Sequence, residues 1–213
     1  MKKILTFLMV FVALFTFVAC DTGNSSSGNG GNGTSNVEII NPDDVAKEFA
    51  DCTTEVDVEN EVVSDGNWTV IGITQAPGML LSVKLQGTAK DNSFTYTSGT
   101  AAQIVNASIM FEEEPELLDA LRNAKNDEEK TAIMFGGMPE GATVTWDGLI
   151  ATMTYPLSQE LLEEFTEREQ PYDLFYNEAA VIKTNADKTK YVISITYEYA
   201  EVEVTETYYI EKN

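Results

Sequence analysis

The side chains that could do chemistry in this chain are few in kind. Among 213 residues there is no histidine, there are two cysteines, and 35 aspartates and glutamates stand against 13 lysines and arginines. Without histidine, Ser–His–Asp and Cys–His activation of a nucleophile is closed, and so is the commonest transition-metal ligand. The two cysteines, Cys20 and Cys52, cannot build a zinc site. The reading therefore assigns no catalytic residue, no metal and no cofactor. The stretch DVENE, residues 57–61, gathers the oxygens of Asp57, Glu59, Asn60 and Glu61. It lacks the glycine at the sixth position and the closing glutamate of an EF-hand, so it reads as a solvated strand edge. A glycosidase pair of carboxylates stays open, because its members lie far apart in sequence and cannot be picked out among so many acids.

Cys52 follows Val45 and Phe49 at helical spacing, which places a structural thiol on the apolar face of a helix. The tyrosines are more suggestive. Tyr191, Tyr197, Tyr199, Tyr208 and Tyr209 crowd the last two strand-like runs. A tyrosine offers a broad ring and a polar tip, so it suits both a packed sheet and a binding surface. Tyr197, Tyr199 and Tyr209 are the candidate surface, for a glycan, peptide or protein.

The elements that must position these groups follow from pattern. Asn41, Pro42, Asp43 and Asp44 make a strong helix start, with a helix expected over 42–52. Strand-like runs at 67–74 and 79–87 flank QAPG, whose Pro77–Gly78 pair suits a type II turn. FTYT follows, then a run over 101–111 that would put Val105, Ala107, Ile109 and Phe111 on one face. Helices are expected after Pro115 and Asn126. The GGMPEGA loop that ends them has no lysine and is not a phosphate loop. Residues 142–155 read as a hairpin on an Asp147–Gly148 turn, pairing Trp146 with Leu149, Val144 with Ala151 and Ala142 with Met153. A helix capped by Ser158 comes next, over 157–169.

In the last two strands Tyr191, Ile193, Ile195, Tyr197 and Tyr199 are odd, whereas Val202, Val204, Tyr208 and Ile210 are even. A tight turn at Ala200–Glu201 would pair 199 with 202, 197 with 204 and 193 with 208, joining both sets on one face. A face-swapping bulge is the alternative. The sum is an α+β domain, a mainly antiparallel sheet of about nine strands that can curve, packed on one side by three or four helices.

A formal charge of −22 opposes nucleic acid, whose binding needs phosphates neutralised. It also opposes adsorption on anionic headgroups, so a membrane attachment would have to be covalent. The N-terminus offers one. Lys2 and Lys3 precede an apolar run over residues 4–18, and Ala19 precedes Cys20. Basic, apolar and small-residue segments in that order read as a secretory signal peptide. FVAC, residues 17–20, resembles the lipobox of bacterial lipoproteins, with Phe17 and Val18 departing from its commonest form. The resemblance implies a diacylglycerol on the Cys20 thiol, cleavage before it and an acylated new amino terminus. The next sixteen residues, DTGNSSSGNGGNGTSN, hold no side chain that repays the entropy of ordering. They read as a coil with a span of roughly 20–25 Å.

The expected organisation is a signal peptide over 1–19, a lipidated Cys20 and tether over 20–36, and one globular domain over 37–213. The expected role is a cell-envelope lipoprotein, held outside the cytoplasm by its lipid, whose domain binds or scaffolds an envelope protein or glycan without catalysis. An N-terminal helix followed by a curved antiparallel sheet also resembles the envelope carriers of lipids and lipoproteins, which would imply an apolar ligand between sheet and helices. A carboxylate-dependent glycan hydrolase is the second alternative.

Overall fold

In the computed structural model the described residues are 37–56, 63–91, 93–136, 141–168, 180–199 and 201–213. The leader, Cys20, the tether and the DVENE stretch lie outside them. So do the side chains of Glu167, Arg168 and Tyr199.

Nine strands form one antiparallel sheet, as the alternating runs predict. They are β1 (Thr54–Glu55), β2 (Gly66–Ala76), β3 (Met79–Lys90), β4 (Ser93–Asn106), β5 (Thr143–Asp147), β6 (Ile150–Pro156), β7 (Val181–Thr184), β8 (Lys190–Tyr199) and β9 (Val202–Lys212). Their spatial order is β1-β7-β8-β9-β2-β3-β4-β6-β5, so β1 and β5 are the two edges. Three sequential runs pair side by side, β2–β3–β4, β5–β6 and β7–β8–β9; the long connections are β1 to β2, β4 through three helices to β5, and β6 through a helix to β7, and β9 returns to pair with β2. Five helices are described: α1 (Pro42–Glu48), α2 (Ala107–Met110), α3 (Pro115–Asn123), α4 (Asp127–Phe135) and α5 (Gln159–Arg168). None is long and apolar enough to cross a membrane.

Local chemistry accounts for the boundaries. Asn41 caps α1, its Oδ1 accepting from the Asp43 N–H at 3.0 Å. Asn126 caps α4 in the same way through the Glu129 N–H at 2.8 Å, and Glu129 reaches back to the Lys125 N–H. The Ser158 hydroxyl accepts from the Leu161 N–H at the start of α5. Pro77–Gly78 closes the β2–β3 hairpin with Gly78 at φ 77°, the sign a type II turn needs at its third residue.

Two expectations are corrected. The run over 101–111 is not one strand. Asn106 ends β4, caps the single turn of α2 through the Ser108 N–H, and leaves Ile109 half-exposed while Phe111 turns inward. In the β5–β6 hairpin the two turn residues are Gly148 and Leu149, so Asp147 faces Ile150 and Trp146 faces Ala151. Gly148 alone takes a positive φ, 60°, which fits a turn with glycine first rather than one needing positive φ twice. The register slides by two residues, and the shared face of Val144, Trp146, Ala151 and Met153 survives the slide.

The last hairpin follows the tight-turn expectation: Tyr199 pairs with Val202, Tyr197 with Val204 and Ile193 with Tyr208. Glu201 carries the turn at φ 69°. A β-bulge between Gln86 and Gly87 supplies a parity switch in β4. Phe94 and Tyr96 precede it, Ala101 and Val105 follow it, and all four point to the same side, where they are buried.

That side, the core face, carries two apolar clusters. One joins Trp68, Phe94, Tyr155, Tyr191 and Ile210 to Leu161 and Leu162 of α5. The other joins Met79, Val105, Ala151 and Val204 to Leu118, Leu121 and Met134 of α3 and α4. Trp68 is fully buried, its indole N–H donating to the Ser64 carbonyl at 3.0 Å. The opposite, outer face is not bare, and this overturns the expectation of helices on one side only. Val45, Phe49 and Cys52 pack there on Ile73 and Tyr209, flanked by Ile71, Leu80 and Val192. Alternation buries Val70 inward while Ile71 and Ile73 point outward, so β2 is apolar on both sides and needs cover on both.

Candidate functional site

The sheet register turns the core face into a grid. One row across the strands runs Ile195, Glu206, Thr74, Leu81, Gln103 and Met153. Three of the six are polar, in a face built mainly of apolar residues, with Lys212 opposite Trp68 and Thr184 opposite Tyr191 as further polar positions. Among the described residues Glu206 is the only acid at a core-face position of any strand.

Its carboxylate is held from two sides. The Tyr197 hydroxyl donates to Oε1 at 2.6 Å, and the Tyr208 hydroxyl donates to Oε2 at 3.1 Å. Phenol-to-carboxylate bonds are charge-assisted, so both oxygens are fixed in place. The remaining lone pairs of the carboxylate can only accept. Tyr197 is 37% exposed, so one wall of the site is an aromatic ring open to solvent.

Beside Glu206 the core face of β2 is made of small residues. Gly72, Thr74 and Ala76 are each half-buried. A Cβ at Gly72 would stand 3.3 Å from the Tyr208 ring, so the missing side chain makes room for that ring and for whatever lies over it. The α3–α4 pair and α5 cover the β3–β4–β6 half of the face, leaving the Gly72, Thr74, Glu206 and Tyr208 quarter partly open.

Gln103 lies at the buried end of the row, three strand spacings or roughly 14 Å from Glu206. It is 8% exposed. Its amide nitrogen sits 3.7 Å from the Met79 sulfur, a weak acceptor and its sole hydrogen-bond partner among the described residues. A carboxamide left that way costs about 1–3 kcal/mol.

The three tyrosines singled out from sequence do not come together. Tyr197 joins the core-face site. Tyr209 points to the outer face, 9% exposed beneath α1, its ring 5.2 Å from that of Phe49. Burial first, then the nearby Asp43 charge, raises its phenol above the ordinary value. The strand position of Tyr199 faces Val202, and its side chain lies outside the described residues. Glu206 and Gln103 escaped sequence reasoning. A signal for Glu206 was available: it is the acid that interrupts the even-numbered series Val204, Tyr208, Ile210.

Cys52 is buried as expected, but not on a helix: α1 ends at Glu48 rather than reaching residue 52, and Cys52 follows in a turn, its N–H donating to the Phe49 carbonyl at 3.0 Å. Burial raises its thiol above the usual value, which keeps it a packing group rather than a nucleophile. Among the described residues no three acidic or cysteine side chains converge as a metal-ligand set. No protein-family model, no curated protein and no solved structure matches this chain.

Proposed function

We propose that this chain is a lipid-anchored protein of the bacterial cell envelope whose domain is a non-enzymatic binding module, with the partly open quarter of the core face as its binding face. The anchor rests on FVAC and the tether behind it. The binding face rests on one observation: a carboxylate clamped by two tyrosine hydroxyls beside a floor of small residues, on a face that is mainly apolar core. A clamped carboxylate is preorganised to receive a donor, which is how a recognition site differs from a solvated acid.

The alternatives have less support. A retaining or inverting glycosidase needs a second carboxylate about 5–9.5 Å from the first. Glu206 has no acidic neighbour on the strands of its face among the described residues. An apolar-ligand carrier needs room between sheet and helices. Trp68, Phe94, Tyr155 and Tyr191, all at 1% exposure or less, fill that space.

Purification of the wild type and of Gly72→Val from membranes in mild detergent, followed by native mass spectrometry, tests the reading. The expected result is a diacylated Cys20 and a non-covalent species carried by the wild type and lost in Gly72→Val. A cytosolic protein with its leader intact removes the anchor. A carried species that Gly72→Val retains removes the binding face.

A further inference from the structure

Resting on that reading of the core face, we propose that its occupant is a basic peptide segment, with a lysine or arginine head at Glu206 and its backbone over Gly72, Thr74 and Ala76. The chemistry of the open quarter carries it. At the open end the carboxylate dominates: the Glu206 oxygens have lone pairs to spare beyond the two phenol bonds they accept. Among the described residues no lysine or arginine pairs with Glu206. Lys190 pairs with Glu211, Lys84 with Glu38, and Lys212 donates to Ser64. An oriented carboxylate in a chain of charge −22 favours an incoming cation and repels an anion. The exposed Tyr197 ring adds an aromatic face for such a head or its aliphatic stem.

Gly72, Thr74 and Ala76 present no large side chain across the floor that such a backbone would cross.

The test uses the full-length protein in mild detergent and fluorescence anisotropy with three probes. These are an end-capped alternating alanine–lysine hexapeptide, its glutamine counterpart, and a soluble N-acetylglucosamine oligomer. The lysine peptide is expected to bind saturably, and the two neutral probes are not. Glu206→Gln is expected to weaken it about thirtyfold or more, the scale of losing one partner of a desolvated charge pair. Glu128→Gln, on the exposed surface of α4, is expected to leave it unchanged. Equal affinity in Glu206→Gln, or equal loss in Glu128→Gln, means diffuse attraction to an acidic surface and overturns the proposal. Sugar binding that depends on Glu206 leaves the binding face standing and removes the peptide. Binding of none of the three probes also overturns the peptide, while Gly72→Val and native mass spectrometry judge the face separately. Thermal melting checks the fold of each variant. If Glu206→Gln melts early, Tyr208→Phe keeps the carboxylate and removes one clamp, and a weaker lysine-peptide complex in that variant sustains the proposal, whereas unchanged affinity overturns it.

Discussion

The ammonium of Lys190 donates to the backbone carbonyl of Glu48 at 2.9 Å, tying the last turn of α1 to the start of β8. The same group stands 5.1 Å from the centre of the Phe49 ring and 3.4 Å from the Glu211 carboxylate. A cation at a helix C-terminus satisfies an orphan carbonyl and the negative end of the helix dipole together. Lys190→Met keeps the stem and removes the charge. It is expected to lower stability by about 1 kcal/mol, read as a lower denaturation midpoint with an unchanged slope.

Tyr209 separates packing from binding. It lies beneath α1 against Phe49, so Tyr209→Ala opens a cavity under the helix. The expected loss is about 3 kcal/mol, the usual cost of removing a buried aromatic ring, with lysine-peptide affinity unchanged in the fraction that stays folded. Tyr197→Ala is expected to do the reverse, weakening the complex while moving the melting midpoint little. Chemical denaturation and anisotropy on the two variants check the pair.

Alkaline pH should loosen the domain. Burial raises the phenols of both Tyr155 and Tyr209 in the folded state, Asp43 adding to the second. The folded state therefore holds protons that the unfolded chain releases near pH 10. Their contribution is whole below that value and drains as pH climbs through the folded-state values, at about 1.4 kcal/mol per pH unit for each tyrosine. Tyr155→Phe is expected to make the fall in melting temperature above pH 10 shallower. A fall of equal steepness in wild type and variant would assign it to other groups.

Much of this fold is legible in the residues, and the reasons differ by element. The β8–β9 register follows from parity combined with a two-residue turn at Ala200–Glu201, which together put the Tyr191–Tyr199 and Val202–Ile210 sets on one face. The Asn41, Asn126 and Ser158 caps are local and announce themselves. The β5–β6 register slips by two because turn type depends on which residue takes positive φ, and Asp147–Gly148 and Gly148–Leu149 both contain the glycine. The side on which α1 docks is a long-range matter. Its Val45–Phe49–Cys52 stripe states that a face is buried but not against what, and only the two-sided apolarity of β2 hints at the answer. The candidate site is the least legible part. Tyr197 stood out by type, whereas Glu206 acquires meaning only when the register sets it among apolar neighbours with Tyr208 beside it.

The attachment to the membrane hangs on one sulfur. Cys20→Ala removes the acceptor for the diacylglycerol that FVAC implies. The variant is expected to keep its leader and to carry no diacylglycerol by intact-mass measurement, whereas the wild type is cut before Cys20, carries the lipid mass and partitions into detergent. A wild type found in the aqueous phase would contradict the anchor.

The most direct measurement is a backbone amide titration by nuclear magnetic resonance, adding the lysine hexapeptide to the folded protein. The account expects the largest shifts at Gly72, Thr74, Glu206 and Tyr208, and little change at Glu128 and Glu129 on α4. Shifts centred on those exposed helical acids, with Gly72 and Glu206 unmoved, would contradict it.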